Sequence, residues 1–202
     1  MATHTAVASD TIAPQSGATD DPLVWIDCEM TGLNPDTEEI IEIFCILTTG
    51  NLQILDQEGY HAVVHSPASR LNQMDEWCTR THANSGLTAA VLASTTTPEQ
   101  AADGLYKYIT KFIPEKRKAL LAGNSVHADR AFLRKEPYAR VIEHLHHRIL
   151  DVSAIKEAGM RWCPREVMYR RPVKKGRHLA RDDILESIEE ARYYRNAIFR
   201  QA

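Results

Sequence analysis

Leu23-Val24-Trp25-Ile26 is a short apolar run that stops on an acid, Asp27, with a second acid, Glu29, two residues on. An uninterrupted run of large apolar residues reads as a strand buried on both faces, so the chain must supply a layer for each side. Residues two apart on a strand point the same way, which places Asp27 and Glu29 side by side where the run ends. Two carboxylates that close repel each other unless a cation neutralises them. The pair is therefore a candidate divalent-metal site, the alternative being an ordinary surface Asp/Glu pair.

The rest of the chain supplies those layers. Thr31-Gly32-Leu33-Asn34-Pro35 breaks the chain into a turn, and Ile40–Thr48 is a second, β-branched run. Thr49-Gly50-Asn51 then turns it back, and Gln53-Ile54-Leu55 with residues 60–65 would complete an antiparallel start of three strands. Thr97-Pro98-Glu99-Gln100 carries an N-cap, a first-turn proline and a capping-box glutamine. Ala101, Leu105, Tyr108 and Phe112 follow at helical spacing. A fourth strand is expected at Ala119-Leu120-Leu121-Ala122-Gly123, with a helix opening within residues 125–135. A fifth is expected at Arg148-Ile149-Leu150-Asp151, with a helix from Val152. The last helix is expected over residues 179–200, with Ile184, Ile188, Ala191 and Ile198 on one face. This interleaving predicts one α/β domain over residues 22–202, a mixed five-stranded sheet flanked by helices.

Composition narrows the function. Net charge is −3, which excludes a general nucleic-acid coat protein. No apolar run approaches the roughly 20 residues that span a bilayer, so no membrane partner is expected. The four cysteines, Cys28, Cys45, Cys78 and Cys163, form no CxxC pair, which argues against a zinc ribbon or a disulfide scaffold. Residues 1–21 lack both Lys and Arg and any hydrophobic block. They read as a flexible tail rather than a leader, which points to the cytoplasm, with mitochondria as the second choice.

Two further segments end strands or open helices with acids. Gly123-Asn124-Ser125-Val126-His127-Ala128-Asp129 could bring Asp129 beside Asp27; His178-Leu179-Ala180-Arg181-Asp182-Asp183 places a histidine and two acids at another helix start. Each acid could instead simply complement a helix dipole. Together, Asp-x-Glu at 27–29, Asp at 129 and His-x4-Asp at 178–183 resemble the DEDD exonucleases of the histidine-bearing type. Further blocks are similar to the oligoribonuclease family within that group. They are Trp25 to Leu33, Met74-Asp75-Glu76-Trp77, Thr81-His82, Ser85-Gly86-Leu87, Leu150-Asp151-Val152-Ser153 and Asp182-Asp183-Ile184.

That resemblance implies an RNase H-like fold and a 3′→5′ exoribonuclease acting on single-stranded RNA of about two to five nucleotides, dinucleotides above all, with nucleoside 5′-monophosphates as products. Asp27, Glu29, Asp129 and Asp183 would hold two Mg²⁺ or Mn²⁺ ions, and His178 would be the general base. Asp183 is preferred to Asp182 because it keeps the His-x4-Asp spacing. Leu33, after Gly32, and Trp77 would grip the bases, although Trp77 taken alone reads as a core tryptophan. His82 would meet the scissile end, and Ser125, Arg148 and Ser153 would cap the 5′ phosphate. His147 stands where the family has a tyrosine that reaches across a homodimer to the partner's substrate. Residues 161–181 hold eight Lys or Arg against one Glu, a basic loop suited to steering phosphates inward. Two other readings are a related exonuclease acting on longer RNA or DNA, and a non-catalytic dimer that binds RNA.

Overall fold

In the computed structural model, residues 20–173 and 180–199 are described. Most of the expected tail, together with His178, Leu179 and Arg200, lies outside them. A five-stranded sheet runs in the order β3-β2-β1-β4-β5. Strand β1 (Leu23–Met30) lies at its centre, antiparallel to β2 (Ile40–Thr48), which pairs antiparallel with β3 (Tyr60–Val63). Strands β4 (Leu120–Gly123) and β5 (Ile149–Asp151) continue parallel to β1 on its other side.

Alternation along β1 divides the core in two. Val24, Ile26 and Cys28 face a cluster built with α4 (Pro98–Phe112), α5 (His127–Leu133) and α6 (Ala139–His144). Leu23 and Trp25 face a second cluster, which holds Ile184, Ile188 and Ala191 of α9 (Ala180–Tyr194). Between α6 and α9 lie α7 (Val152–Trp162) and α8 (Arg165–Tyr169). Both faces of β1 are thus covered, as its unbroken apolar run requires. The buried Trp25 indole donates to Thr48 Oγ1 at 2.9 Å, satisfying its one polar atom. A third, smaller cluster of Ile41, Leu71, Leu87 and Val91 lies under α1 (Ala68–Leu71), α2 (Glu76–Ser85) and α3 (Leu87–Ala93). Among the described residues no helix is long and apolar enough to cross a membrane.

The capping box at the start of α4 is present in full: the Thr97 side chain meets the Gln100 amide and the Gln100 side chain meets the Thr97 amide. Four expectations need correction. Gln53-Ile54-Leu55 is not a strand; only Ile54 bridges to Thr48, because Leu52 takes a left-handed backbone (φ 65°) that turns the chain out of register. The first strand does not stop at Ile26 but runs on to Met30, held by its antiparallel partner β2. The basic segment is not simply a loop: α8 forms within it, and Met168 is buried against Gly159 in the second cluster. The last helix ends its α-helical part at Tyr194 and continues as a π-helical turn over Arg195–Phe199.

Candidate active site

The extra length of β1 builds the site. Pairing with β4 covers only Leu23, Val24 and Trp25. Beyond Trp25, β1 continues against β2 alone and leaves a gap at the carboxyl ends of the parallel strands, where α/β sheets bind their ligands. The first turn of α5 fills part of this gap: Asp129 Oδ1 accepts the Cys28 backbone N–H at 2.9 Å. That N–H would otherwise be an unpaired donor in a buried place.

Asp27 and Glu29 continue the face of Leu23 and Trp25, against which α9 packs. The packing of Ile184 and Ile188 sets α9 so that Asp183, in its first turn, comes down over the same spot. Carboxylate oxygens of Asp27, Glu29 and Asp183 all lie within 4.8 Å of one another. Asp182 is not part of this group, and Asp129 stands beside it, held by the Cys28 amide.

The electrostatics match this crowding. Glu29 is pushed up to about 8, first by burial and then by the charges of Glu42, Asp183 and Asp129. Burial likewise pushes Asp129 up to about 7, against the pull of the Cys28 N–H. A hard cation would relieve both effects, and an all-carboxylate donor set suits Mg²⁺ or Mn²⁺ rather than zinc.

The remaining candidates fall into groups. His82 lies behind the acids, only 2% exposed, with Nε2 on the Met30 carbonyl at 3.0 Å and Nδ1 3.9 Å from Glu29 Oε2. It is thus neither a surface residue nor a helix cap. Leu33 (86% exposed) and Trp77 (52% exposed) project into solvent from the loop after β1 and the start of α2; neither is core. A side chain at Gly32 would press on Glu38, since a Cβ there would sit 3.0 Å from Glu38 Cγ and Cδ. Ser125 and Ser153 come together, Oγ to Oγ at 3.1 Å. Arg148 does not join them: it stands exposed before β5, and among the described residues its side chain makes no hydrogen bond. His147 is exposed and its ring lies tilted against that of His146, centroids 4.3 Å apart. The proposed base, His178, lies outside the described residues.

Several partners were not singled out from sequence. Asp151 Oδ1 accepts the amides of both Ser125 and Ser153 at 3.0 Å, and so holds Ser125 in a left-handed backbone (φ 52°). Asn124 joins Ser153 to Ser187, whose hydroxyl donates to the Asp183 carbonyl at 2.7 Å. The serine pair is thereby tied to the helix that carries Asp183. Glu42, on β2, pairs directly opposite Glu29 on β1 and takes a 2.7 Å contact from His61. An acid inside the apolar run Ile40–Thr48 was the available signal for Glu42; Asp151 could have been found as the N-cap of α7.

A mixed sheet with an acidic cluster at the carboxyl ends of its parallel strands defines an exonuclease of the RNase H-like class. The sequence profile of the RNase T family, described as exonuclease, matches residues 24–191. Solved structures agree on the fold: Escherichia coli exonuclease I in complex with a dA16 oligonucleotide superposes with a TM-score of 0.69 at 13% identity, covering 89% of this chain and 42% of that one. Cell-death related nuclease 4 gives 0.63 at 13%, covering 88% and 64%. The chain thus spans about two-fifths of the exonuclease I chain. Much nearer in sequence is a probable oligoribonuclease of Schizosaccharomyces pombe, 49% identical over 175 residues, 87% of this chain and 68% of that one. An oligoribonuclease of Vibrio cholerae is 46% identical over 181 residues, 90% and 97% of the two chains. The mitochondrial oligoribonuclease of Bos taurus is 44% identical over 179 residues, 89% and 74%. This chain belongs to the oligoribonuclease family of exonucleases.

Proposed function

We propose that the chain is a 3′→5′ exoribonuclease that takes very short single-stranded RNA, above all dinucleotides, to nucleoside 5′-monophosphates. The observation that carries this reading is the convergence of Asp27, Glu29 and Asp183 within 4.8 Å, with Asp129 beside them. These four carboxylates would hold two Mg²⁺ or Mn²⁺ ions. Bound there, the ions would neutralise the phosphate and lower the pKa of the attacking water. His178 would take the proton from that water at a ring nitrogen, since imidazole titrates near neutral pH.

Substrate length is assigned to the surroundings of the acids. Leu33 and Trp77 are exposed and apolar, which supports gripping bases without reading their sequence. His82, reaching Glu29 from behind, would meet the scissile end only beside that carboxylate. Ser125 and Ser153 offer paired hydroxyls for a 5′ phosphate, and the free guanidinium of Arg148 would close over it once RNA binds. In the proposed homodimer, His147 would reach the partner's substrate. Its exposure, and its place on a 540 Å³ cavity shared with Arg117, Arg130 and Arg134, support that use. End products of RNA decay arise in both cytoplasm and mitochondria, so the activity suits either.

The test is cleavage of 5′-labelled RNAs from two to twenty nucleotides with Mg²⁺, Mn²⁺ or EDTA. Metal-dependent release of mononucleotides, fastest on the dinucleotide, is the expected result. Equal cleavage of long RNA or DNA would overturn the length assignment. No cleavage with either metal would leave an RNA-binding dimer.

A further inference from the structure

Arg70 is not part of the carboxylate cluster, yet among the described residues it is one of the most heavily hydrogen-bonded side chains. Its Nη2 meets Thr37 O at 2.9 Å, Thr31 Oγ1 at 3.0 Å and Glu38 Oε2, while Nε lies 4.0 Å from Glu39 Oε1. All of these acceptors belong to the loop that carries Leu33. That loop also closes on itself. Thr31 N donates to Glu39 O at 3.0 Å, Glu39 N to Thr31 Oγ1 at 3.1 Å, and Thr31 Oγ1 to Glu38 Oε2 at 2.6 Å. Thr37 and Glu38 donate their amides to Asn34 O, so Gly32 and Leu33 form the outward side of a closed ring. Glu38 lies flat against Gly32, where any side chain would crowd it.

The other end of Arg70 leads to Trp77. Arg70 belongs to α1, and a run of turns continues from it: Gln73 N donates to Arg70 O at 3.0 Å and Met74 N to Leu71 O at 3.2 Å. Asp75 then caps α2 by accepting the Cys78 amide at 2.7 Å, which fixes Trp77 in that helix's first turn. Leu71 is buried with Ile41, so this run is also nailed to the sheet. Arg70 is thus a main contact joining the loop of Leu33 to the segment of Trp77, beside a hydrogen bond from Ser66 to Glu39. With side-chain exposures of 19% and 21%, Arg70 and Glu38 are shielded enough for the bond to hold its geometry.

We infer that Arg70 is a positioning residue for substrate, a clasp that fixes the gap between Leu33 and Trp77 and so sets affinity for short RNA. This rests on the reading that Leu33 and Trp77 hold the bases. An apolar wedge on a loose loop must be ordered each time substrate binds, and that ordering is subtracted from affinity. Arg70 orders it beforehand. The carboxylates are held by β1, α5 and α9, so the clasp acts on binding and leaves turnover alone.

The test combines kinetics on a dinucleotide with amide hydrogen exchange, using the full chain. Arg70→Ala should raise KM roughly 5–10-fold, the cost of ordering one or two side chains on binding, with kcat held within about twofold. Arg70→Lys, which keeps the charge but not the fork, should fall between. In a Leu33→Ala background Arg70→Ala should add no further rise, because the wedge it positions is gone. Amides of Thr31, Thr37 and Glu38 should exchange faster in Arg70→Ala while those of the sheet stay unchanged. Glu38→Gln, which removes the ion pair at constant size, should move KM the same way even where Arg70→Ala folds poorly. If Leu33→Ala and Trp77→Ala leave KM unchanged, the base-gripping reading fails, whatever the exchange data show for the clasp. If those variants raise KM and Arg70→Ala does not, or its effect simply adds to that of Leu33→Ala, the clasp is overturned. A fall in kcat tracking a fall in Tm would also overturn it, by showing a merely structural role.

Discussion

The carboxylate cluster and the Leu33–Trp77 pair both draw on the segment from Asp27 to Leu33, yet they are built on different principles. Asp27 and Glu29 sit on a central strand whose backbone is tied to β2, and on its open side to Asp129. Asp183 is held down by a helix packed into the second core cluster. Leu33 and Trp77 instead stand out from a loop and a helix start, their own side chains outside the core and their segments joined by polar contacts. Groups that must meet reacting atoms closely are carried by the central strand and by helices packed on the sheet, where small displacements are costly. Groups that need only cover a base are carried by the surface, where sequence can vary. Turnover and affinity should therefore separate by mutation.

The largest effect should come from the cluster. Asp183→Asn should lower kcat by about 10³-fold or more, because a metal centre supplies several kcal/mol of barrier lowering. Loss confined to KM would place Asp183 outside the chemistry. His178→Ala should lower kcat by about 10²–10⁴-fold with metal binding intact. Near-normal turnover in single-turnover kinetics would remove it from the base role. Trp77→Ala should act on the other side of the comparison, weakening dinucleotide binding by about 1–3 kcal/mol while kcat is kept. An equal loss in kcat would break the separation.

The smallest effect is on stability. Glu29 stands at about 8 in the folded chain against an ordinary 4.5, so the folded state binds a proton that the unfolded state has released. Stability of the metal-free protein is then greatest at low pH within this window and falls as pH rises from about 4.5 to 8. Asp183→Asn removes one of the repelling charges and should flatten that fall, raising Tm at pH 8 in EDTA. A Tm that climbs with pH in EDTA would contradict the charge account.

Much of this was legible in sequence because it depends on local pattern. The apolar run ending at Asp27 pointed to a buried strand, Thr97 with Gln100 to a helix start, and the spacing of Ile184, Ile188 and Ala191 to the face of α9. What was missed depends on partners far along the chain. The extension of β1 to Met30 is imposed by pairing with β2, not by β1's own residues. Asp129 was expected beside Asp27, but its bond to the Cys28 amide spans 101 positions, and Arg70 reaches Thr31 across 39. Nothing near Arg70 in sequence hints at the loop it holds. Glu42 was hidden for the opposite reason, as a single acid inside a run read only for its hydrophobicity.

The most direct test of the central claim is calorimetric titration of Mn²⁺ into the metal-free protein and its Asp183→Asn variant near pH 7.5, repeated in buffers of different ionisation enthalpy. The account predicts binding by the wild type with net proton release, because Glu29 and Asp129, standing at about 8 and about 7, must lose protons to coordinate. It also predicts binding greatly weakened in the variant. Equal affinity in both proteins would mean that Asp183 does not belong to the metal centre, and binding that releases no protons would contradict the raised pKa values of Glu29 and Asp129.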